Sequence, residues 1–211
     1  MGKHSESDFI KERVDAIKEA IHFFSNNCKS DREIWVVRHF LSQLCIDCSN
    51  EDIHASLDEP ADVVYCDARF QVKEIFDEGR KRCDEYRESL RKAEIATSAS
   101  DFLEHYQPQN MSCADVVSIV TERASKLQQK YGPSERMSTD LLFYFNLQNI
   151  HVGEDVLTDI DSYSSEMIAW RSVSVFLGDC ALVLYVSDKA PGFLKTAKGK
   201  IHRNLSVLFD D

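Results

Sequence analysis

Asp62, Gln71 and Lys73 bring a carboxylate, an amide and an ammonium into one short stretch of the chain. That stretch, residues 60–82, reads PADVVYCDARFQVKEIFDEGRKR. Its pattern is two short strands around a tight turn: Val63, Val64 and Tyr65 in the first, Phe70, Val72, Ile75 and Phe76 in the second, Asp67-Ala68 between them. A two-residue turn there makes Cys66 face Arg69, Val64 face Gln71 and Asp62 face Lys73. Side chains alternate along a strand, so Gln71 and Lys73 share a face and Asp62 lies across from Lys73 on it. A face that buries hydrophobes has little reason to carry this trio, because desolvating charge is costly. Oxygen donors beside a cation can instead hold a hard divalent metal ion and steady negative charge that develops near it. The structural alternative is that Asp62 caps a turn after Pro60 and Lys73 pairs with it at an exposed sheet edge, worth under about 1 kcal/mol.

Asp62, eight intervening residues and Gln71-Val72-Lys73 resemble the core motif of the PD-(D/E)xK nuclease superfamily, in the variant whose second acid is Gln. The wider stretch EPADVVYCDARFQVKEIFDEGRKRCDEYR, residues 59–87, is similar to the bacterial family labelled "putative endonuclease", otherwise a domain of unknown function (DUF1780-like). DREIWV at residues 31–36 and KAPGFL at residues 189–194 look like the same family, so the resemblance covers most of the chain. It implies a restriction-endonuclease-like α/β fold and a metal-dependent endonuclease acting on DNA, with RNA as the second choice of substrate. In that reading Asp62 is the principal ligand to Mg²⁺ or Mn²⁺, Glu33 on the preceding helix helps to hold the metal, and Gln71 offers its amide oxygen. Lys73 orients or deprotonates the attacking water, or stabilises the phosphorane charge. Gln in place of an acid removes one negative charge from the metal site, so metal affinity should fall. Glu74 is adjacent, but alternation sends it to the other face unless the strand bulges.

These residues need elements to position them. Phe9, Ile10, Val14, Ile17, Ile21 and Phe24 recur at helical spacing. A second helix opens at Ser30 and runs through Ile34, Val37, Phe40, Leu41 and Leu44. Ser30-Asp31-Arg32-Glu33 has the form of a capping box, which gives Glu33 a structural reading beside the metal-binding one. Residues 49–59 are polar and acidic and read as a loop. A charged helix follows the hairpin from about Arg80, carrying Lys81, Arg87 and Arg91 among interleaved acids. After a linker-like stretch, Val117, Val120, Ala124 and Leu127 mark another helix, stopped by Tyr131-Gly132-Pro133. Residues 141–147, LLFYFNL, read as a strand buried on both faces, with Asn146 as a hydrogen-bonded core amide or a substrate contact. Residues 173–177 and 180–186 form a second hairpin around Gly178-Asp179. The order predicts a mixed sheet with helices packed around it, in one domain over residues 1–211. Its parts are N-terminal helices to 58, the motif hairpin and following helix at 59–96, and a helix, the remaining strands and a tail at 97–211.

With 211 residues, 43% of them hydrophobic, the composition is that of an ordinary globular protein. No apolar run approaches the roughly 20 residues of a membrane helix, and the first residues lack the apolar core of a signal peptide. Seven cysteines without repeated spacing read as reduced thiols, and the expected compartment is the cytoplasm. Cys45-Ile46-Asp47-Cys48 is a lone CxxC without the partners a zinc or redox site needs, so it reads as helix-end packing. There is no Gly-rich phosphate loop, no GxSxG and no HExxH. A net charge of −11 counts against binding nucleic acid through bulk charge. Local basic clusters remain as a nucleic-acid surface: Arg80, Lys81 and Arg87, and Lys198, Lys200 and Arg203. The competing reading is a catalytically silent module of the same fold that binds a protein or nucleic-acid partner. A third is a subunit of a homodimer that cuts two strands.

Overall fold

The computed structural model describes residues 5–49, 51–80, 83–103, 109–147, 150–152 and 165–204. The chain forms two compact units, Met1–Arg32 with Phe76–Gln107 and Glu33–Ile75 with Pro108–Asp211. Among the described residues, no helix is long and apolar enough to cross a membrane.

In the first unit, helix α1 (Glu6–Phe23) starts at a capping box in which Ser5 and Asp8 satisfy each other's backbone amides. Helix α2 (Lys29–Gln43) follows after a short 3₁₀ turn, its residues to Arg32 in this unit and those from Glu33 in the second. Arg32 on α2 is buried, and its Nη1 donates to the carbonyls of Phe23 and Ser25 at 3.1 and 3.0 Å. It thereby covers carbonyls that the end of α1 would leave unsatisfied. The helix after the hairpin, α3 (Asp84–Ile95), packs on α1, with Tyr86 stacked on Phe24 at 5.1 Å.

The second unit is built on a seven-stranded sheet. Strands β1 (Ile53–Ala55), β2 (Val63–Tyr65) and β3 (Ala68–Phe76) form an antiparallel meander. A short strand β4 (Gln109–Met111) leads into helix α4 (Cys113–Gln128), the single turn α5 (Pro133–Arg136) and strand β5 (Asp140–Asn146). Then come β6 (Ile150–Val152), α6 (Ser165–Ile168), β7 (Ser172–Phe176), β8 (Ala181–Val186), α7 (Gly192–Ala197) and β9 (Ile201–His202). The sheet order is β1-β2-β3-β5-β7-β8-β9, with β5 and β7 parallel and β7, β8 and β9 antiparallel. Strands β4 and β6 pair separately. This is a mixed α/β fold, as the element order predicts.

Two apolar layers enclose the sheet. Val36, Val37, Phe40 and Leu41 of α2 pack on Phe70, Val72, Leu142 and Tyr144. On the opposite face Val116, Val120 and Ala124 of α4, with Met167 and Trp170, cover Leu141, Phe143, Val173, Val175 and Leu182. Strand β5 is buried on both sides, which is why its sequence is continuously apolar. Each such Leu, Val or Phe removed from water contributes roughly 1.5–3 kcal/mol.

Three local readings are corrected. The hairpin turn is Cys66-Asp67, not Asp67-Ala68, so Tyr65 faces Ala68, Val64 faces Arg69 and Val63 faces Phe70. Ala68 is fully buried and belongs to the strand, and Cys66 takes the positive φ of 51° that the turn needs. Strand β1 lies within residues 49–59, where the polar composition reads as a loop. Finally, Ser30 lies inside α2, whose preceding backbone is already helical, so its capping box is not formed as an N-cap. The far end of α2 is closed instead by Cys45 at φ 57°: the amides of Ile46 and Cys45 donate to Leu41 and Ser42. That is a Schellman arrangement, with Ile46 packed into the core beside Leu41. The CxxC is thus part of a helix end, and none of the seven cysteines forms a disulfide.

Candidate functional site

Strand β3 presents Ala68, Phe70 and Val72 to the α2 layer, so Arg69, Gln71 and Lys73 point the other way. Asp62 lies just before β2. Its amide donates to the carbonyl of Phe70 at 2.8 Å, and its carbonyl accepts the amide of Ser56 at 2.9 Å. The backbone of Asp62 is therefore fixed from both sides, and its carboxylate turns along β3. Oδ2 accepts the amide of Val72 at 2.9 Å and lies 3.9 Å from Lys73 Nζ. The carboxylate and ammonium meet on one face as the sequence predicts, although the hairpin register differs.

Gln71 is buried, with 2% of its surface exposed. Its Nε2 donates to the carbonyl of Pro60 at 2.7 Å and to the Tyr131 hydroxyl at 2.9 Å. The Pro60 carbonyl can only accept, so the amide nitrogen must face it and the orientation of the side chain is set. Gln71 Oε1 is then buried with no hydrogen-bond partner among the described residues. Leaving such an acceptor unsatisfied costs roughly 1–3 kcal/mol. A hard oxygen donor of this kind, with a carboxylate elsewhere on the hairpin, matches what Mg²⁺ takes from proteins: one or two side-chain ligands, with waters and substrate phosphate oxygens completing the shell. Asp62 and Gln71 fit that requirement. Among the described residues there is no group of three or more His, Cys, Asp or Glu side chains placed to hold a metal.

A family model described as "Putative endonuclease, protein of unknown function (DUF1780)" matches residues 5–207. The chain belongs to that family. No curated protein matches the sequence. A solved structure from Pseudomonas aeruginosa strain PAO1, described as a protein of unknown function of the monooxygenase superfamily, is similar in fold. It shares 23% sequence identity with a TM-score of 0.57, over 95% of this chain and 97% of that one.

The remaining predicted residues are placed as follows. Glu33 lies on α2, the helix packed on the opposite face of the sheet, and is not brought to the trio. Glu74 also faces that side and accepts a hydrogen bond from Asn146 Nδ2 at 2.8 Å. Asn146 is thus a hydrogen-bonded amide at the end of β5. Arg80 pairs with Asp77 at 3.3 Å and with Glu85, and sits 5.8 Å from the Phe76 ring centroid. Arg87 pairs with Asp84 at 3.1 Å. Lys81 lies outside the described residues. Lys198, Lys200 and Arg203 lie around β9, at the sheet edge remote from the hairpin, and Arg203 Nε is 3.9 Å from Asp179.

Sequence reasoning missed a second polar cluster. Asp140, fully buried at the start of β5, accepts Arg171 Nε at 3.0 Å, a second bond from Arg171 Nη2, Ser172 Oγ at 2.7 Å and the Arg69 amide at 2.9 Å. Arg171 Nη2 also donates to the carbonyl of Asp67 at 3.0 Å, tying the hairpin turn to the sheet. The available signal was an Asp directly before the apolar run of residues 141–145, where an unpaired charge would be too costly to bury.

Proposed function

We propose that this protein hydrolyses phosphodiester bonds of nucleic acid, DNA in the first instance, at Asp62, Gln71 and Lys73, with Mg²⁺ or Mn²⁺ as cofactor. One observation carries the reading: a buried Gln71 oxygen with no partner among the described residues, on the same strand face as Lys73, whose ammonium lies 3.9 Å from the Asp62 carboxylate. The family's description as an endonuclease supports it. Asp62 and Gln71 would hold the metal, which when bound neutralises phosphate charge and lowers the pKa of a coordinated water. Lys73 directs its ammonium at the non-bridging oxygens, where charge grows as the water oxygen bonds to phosphorus and the P–O ester bond breaks. The proton lost by the water ends on the leaving oxygen. Tyr131 and Pro60 keep the Gln71 amide turned so that its oxygen stays available.

The test is cleavage of plasmid, linear and single-stranded DNA with Mg²⁺ or Mn²⁺, with wild type run beside Asp62→Ala and Lys73→Ala. Each substitution should lower the rate by about 10²-fold or more. Cleavage that persists in both variants belongs to a contaminant. Absence of cleavage by wild type favours a second reading, a silent module that binds a partner. That reading is favoured by Asp62 Oδ2, which already serves the Val72 amide and Lys73.

A further inference from the structure

An open cleft of about 590 Å³ lies beside the trio's supports, lined by Pro133, Ser134, Met137, Ser138, Arg171 and Lys189. Its two walls are tied to the motif hairpin. Tyr131, two residues before Pro133, holds Gln71, and Arg171 holds the carbonyl of Asp67 in the turn. Both ties run through side chains that are themselves held, Gln71 by burial and Arg171 by Asp140, so the cleft keeps a fixed relation to β3.

Its chemistry is that of a donor set. Arg171 is clamped by Asp140 through Nε and Nη2, and its Nη1 has no partner among the described residues. The Lys189 ammonium is exposed and makes no ion pair there. Ser134 adds a hydroxyl, while Ser138 Oγ donates to the carbonyl of Glu135. Of the nearby acids, the Glu135 carboxylate accepts the Gly132 amide at 2.6 Å, Asp188, exposed, adjoins Lys189 in the chain, and Asp67, also exposed, lies in the turn whose carbonyl Arg171 holds. Asp140 cancels the charge of Arg171 but leaves its guanidinium rigid, which suits a directional contact to oxygen. Lys189 contributes the uncompensated charge.

We propose that this cleft is a phosphate-binding subsite which receives a backbone phosphate of the strand held at Asp62, Gln71 and Lys73. The identity of the ligand rests on the hydrolase reading above, and the oxyanion chemistry rests on the cleft alone. Arg171 and Lys189 take the non-bridging oxygens, Ser134 donates a further bond, and Pro133 and Met137 form an apolar wall for the sugar.

Arg171 is unsuited to the test because removing it strands a buried carboxylate and threatens folding. The informative variants are Lys189→Gln and Ser134→Ala, with Lys18→Gln as a charge control. Binding of inorganic phosphate is followed by NMR titration, and KM and kcat are measured on an oligonucleotide. Lys189→Gln should weaken phosphate binding about fivefold and reduce the salt slope of oligonucleotide binding by about one. It should raise KM with little change in kcat, the mark of binding shared by ground and transition states. Ser134→Ala should act in the same direction and more weakly, and Lys18→Gln should match wild type.

Unchanged phosphate affinity in Lys189→Gln overturns the subsite. A phosphate effect without any KM effect overturns its role toward the substrate. If wild type cleaves nothing but phosphate and oligonucleotide binding still depend on Lys189, the cleft stands and the hydrolase reading falls. Normal cleavage with Lys189→Gln indistinguishable from wild type gives the reverse.

Discussion

Gln71 is where the sequence and the structure can be separated most sharply. Its type and spacing mark it as a member of a trio, but nothing in the sequence says that its nitrogen is spent on Pro60 and Tyr131 while its oxygen is left over. That division depends on a main-chain carbonyl and on a tyrosine 60 residues away. It leads to a prediction for Gln71→Glu. The substitution replaces a donor with an acceptor facing the Pro60 carbonyl, so without metal it should destabilise the fold by about 1–3 kcal/mol. It also supplies the negative charge that the glutamine lacks at a cation site. Thermal unfolding with and without Mg²⁺ should therefore show a lower midpoint for the variant in EDTA and a larger metal-dependent rise than wild type. A midpoint that ignores Mg²⁺ in both proteins would remove Gln71 and Asp62 as ligands.

At the scale of elements, the helices were legible because their apolar spacing is local, whereas the hairpin register was not. Strand pairing is decided by which residues the core accepts, and Ala68 is buried through its contacts with a layer formed by α2 and by strands remote in sequence. A shift of turn by one residue moves every facing partner by two, which keeps each side chain on its face, and Asp62 still meets Lys73 because its carboxylate reaches along β3. The caps illustrate the opposite case, in which the local signal is sufficient. Ser112 and Asp115 form a capping box at the start of α4. Hydrogen bonds from the Ser112 hydroxyl and then its amide hold the Asp115 carboxyl below the usual carboxylate range, and Asp8 is lowered in the same way by Ser5. A carboxyl depressed in the folded state adds stability that is present above its unfolded value of about 4 and lost as pH falls through the folded one. Stability should accordingly decline on acidification below about pH 4. Denaturant midpoints measured between neutrality and pH 3 should show a shallower acid decline in Asp115→Asn than in wild type. Parallel curves for the two proteins would mean that the cap contributes nothing to acid sensitivity.

For the molecule as a whole, the decisive quantity is how few cations remain to meet a polyanion. The net charge is −11, and the basic residues that the sequence offered as a nucleic-acid surface are engaged or remote from the hairpin: Arg80 and Arg87 pair with acids near them in sequence, and Arg203 approaches Asp179 at the far sheet edge. Among the described residues, the cations placed to act at the trio and the cleft are Lys73, Arg171 and Lys189, while Arg69, on the same face of β3, is turned to Asp58 at 4.0 Å. Each phosphate neutralised on a duplex contributes about −0.9 to the dependence of log K on log salt. Three contacts then give a slope of about −3 at the steepest, and fewer still if Asp62 continues to occupy Lys73. The expectation is a protein that recognises DNA through a small, metal-supported site, with weak affinity and shallow salt dependence, instead of through a basic face. Fluorescence anisotropy with a phosphorothioate duplex that resists cleavage, at constant Mg²⁺ and from about 50 to 200 mM KCl, measures this directly. A slope near −2 to −3 that flattens by about one in Lys189→Gln fits the site as assigned. A slope of about −6 or steeper would require a broad basic surface, and the substrate would then be held mainly by cations other than Lys73, Arg171 and Lys189.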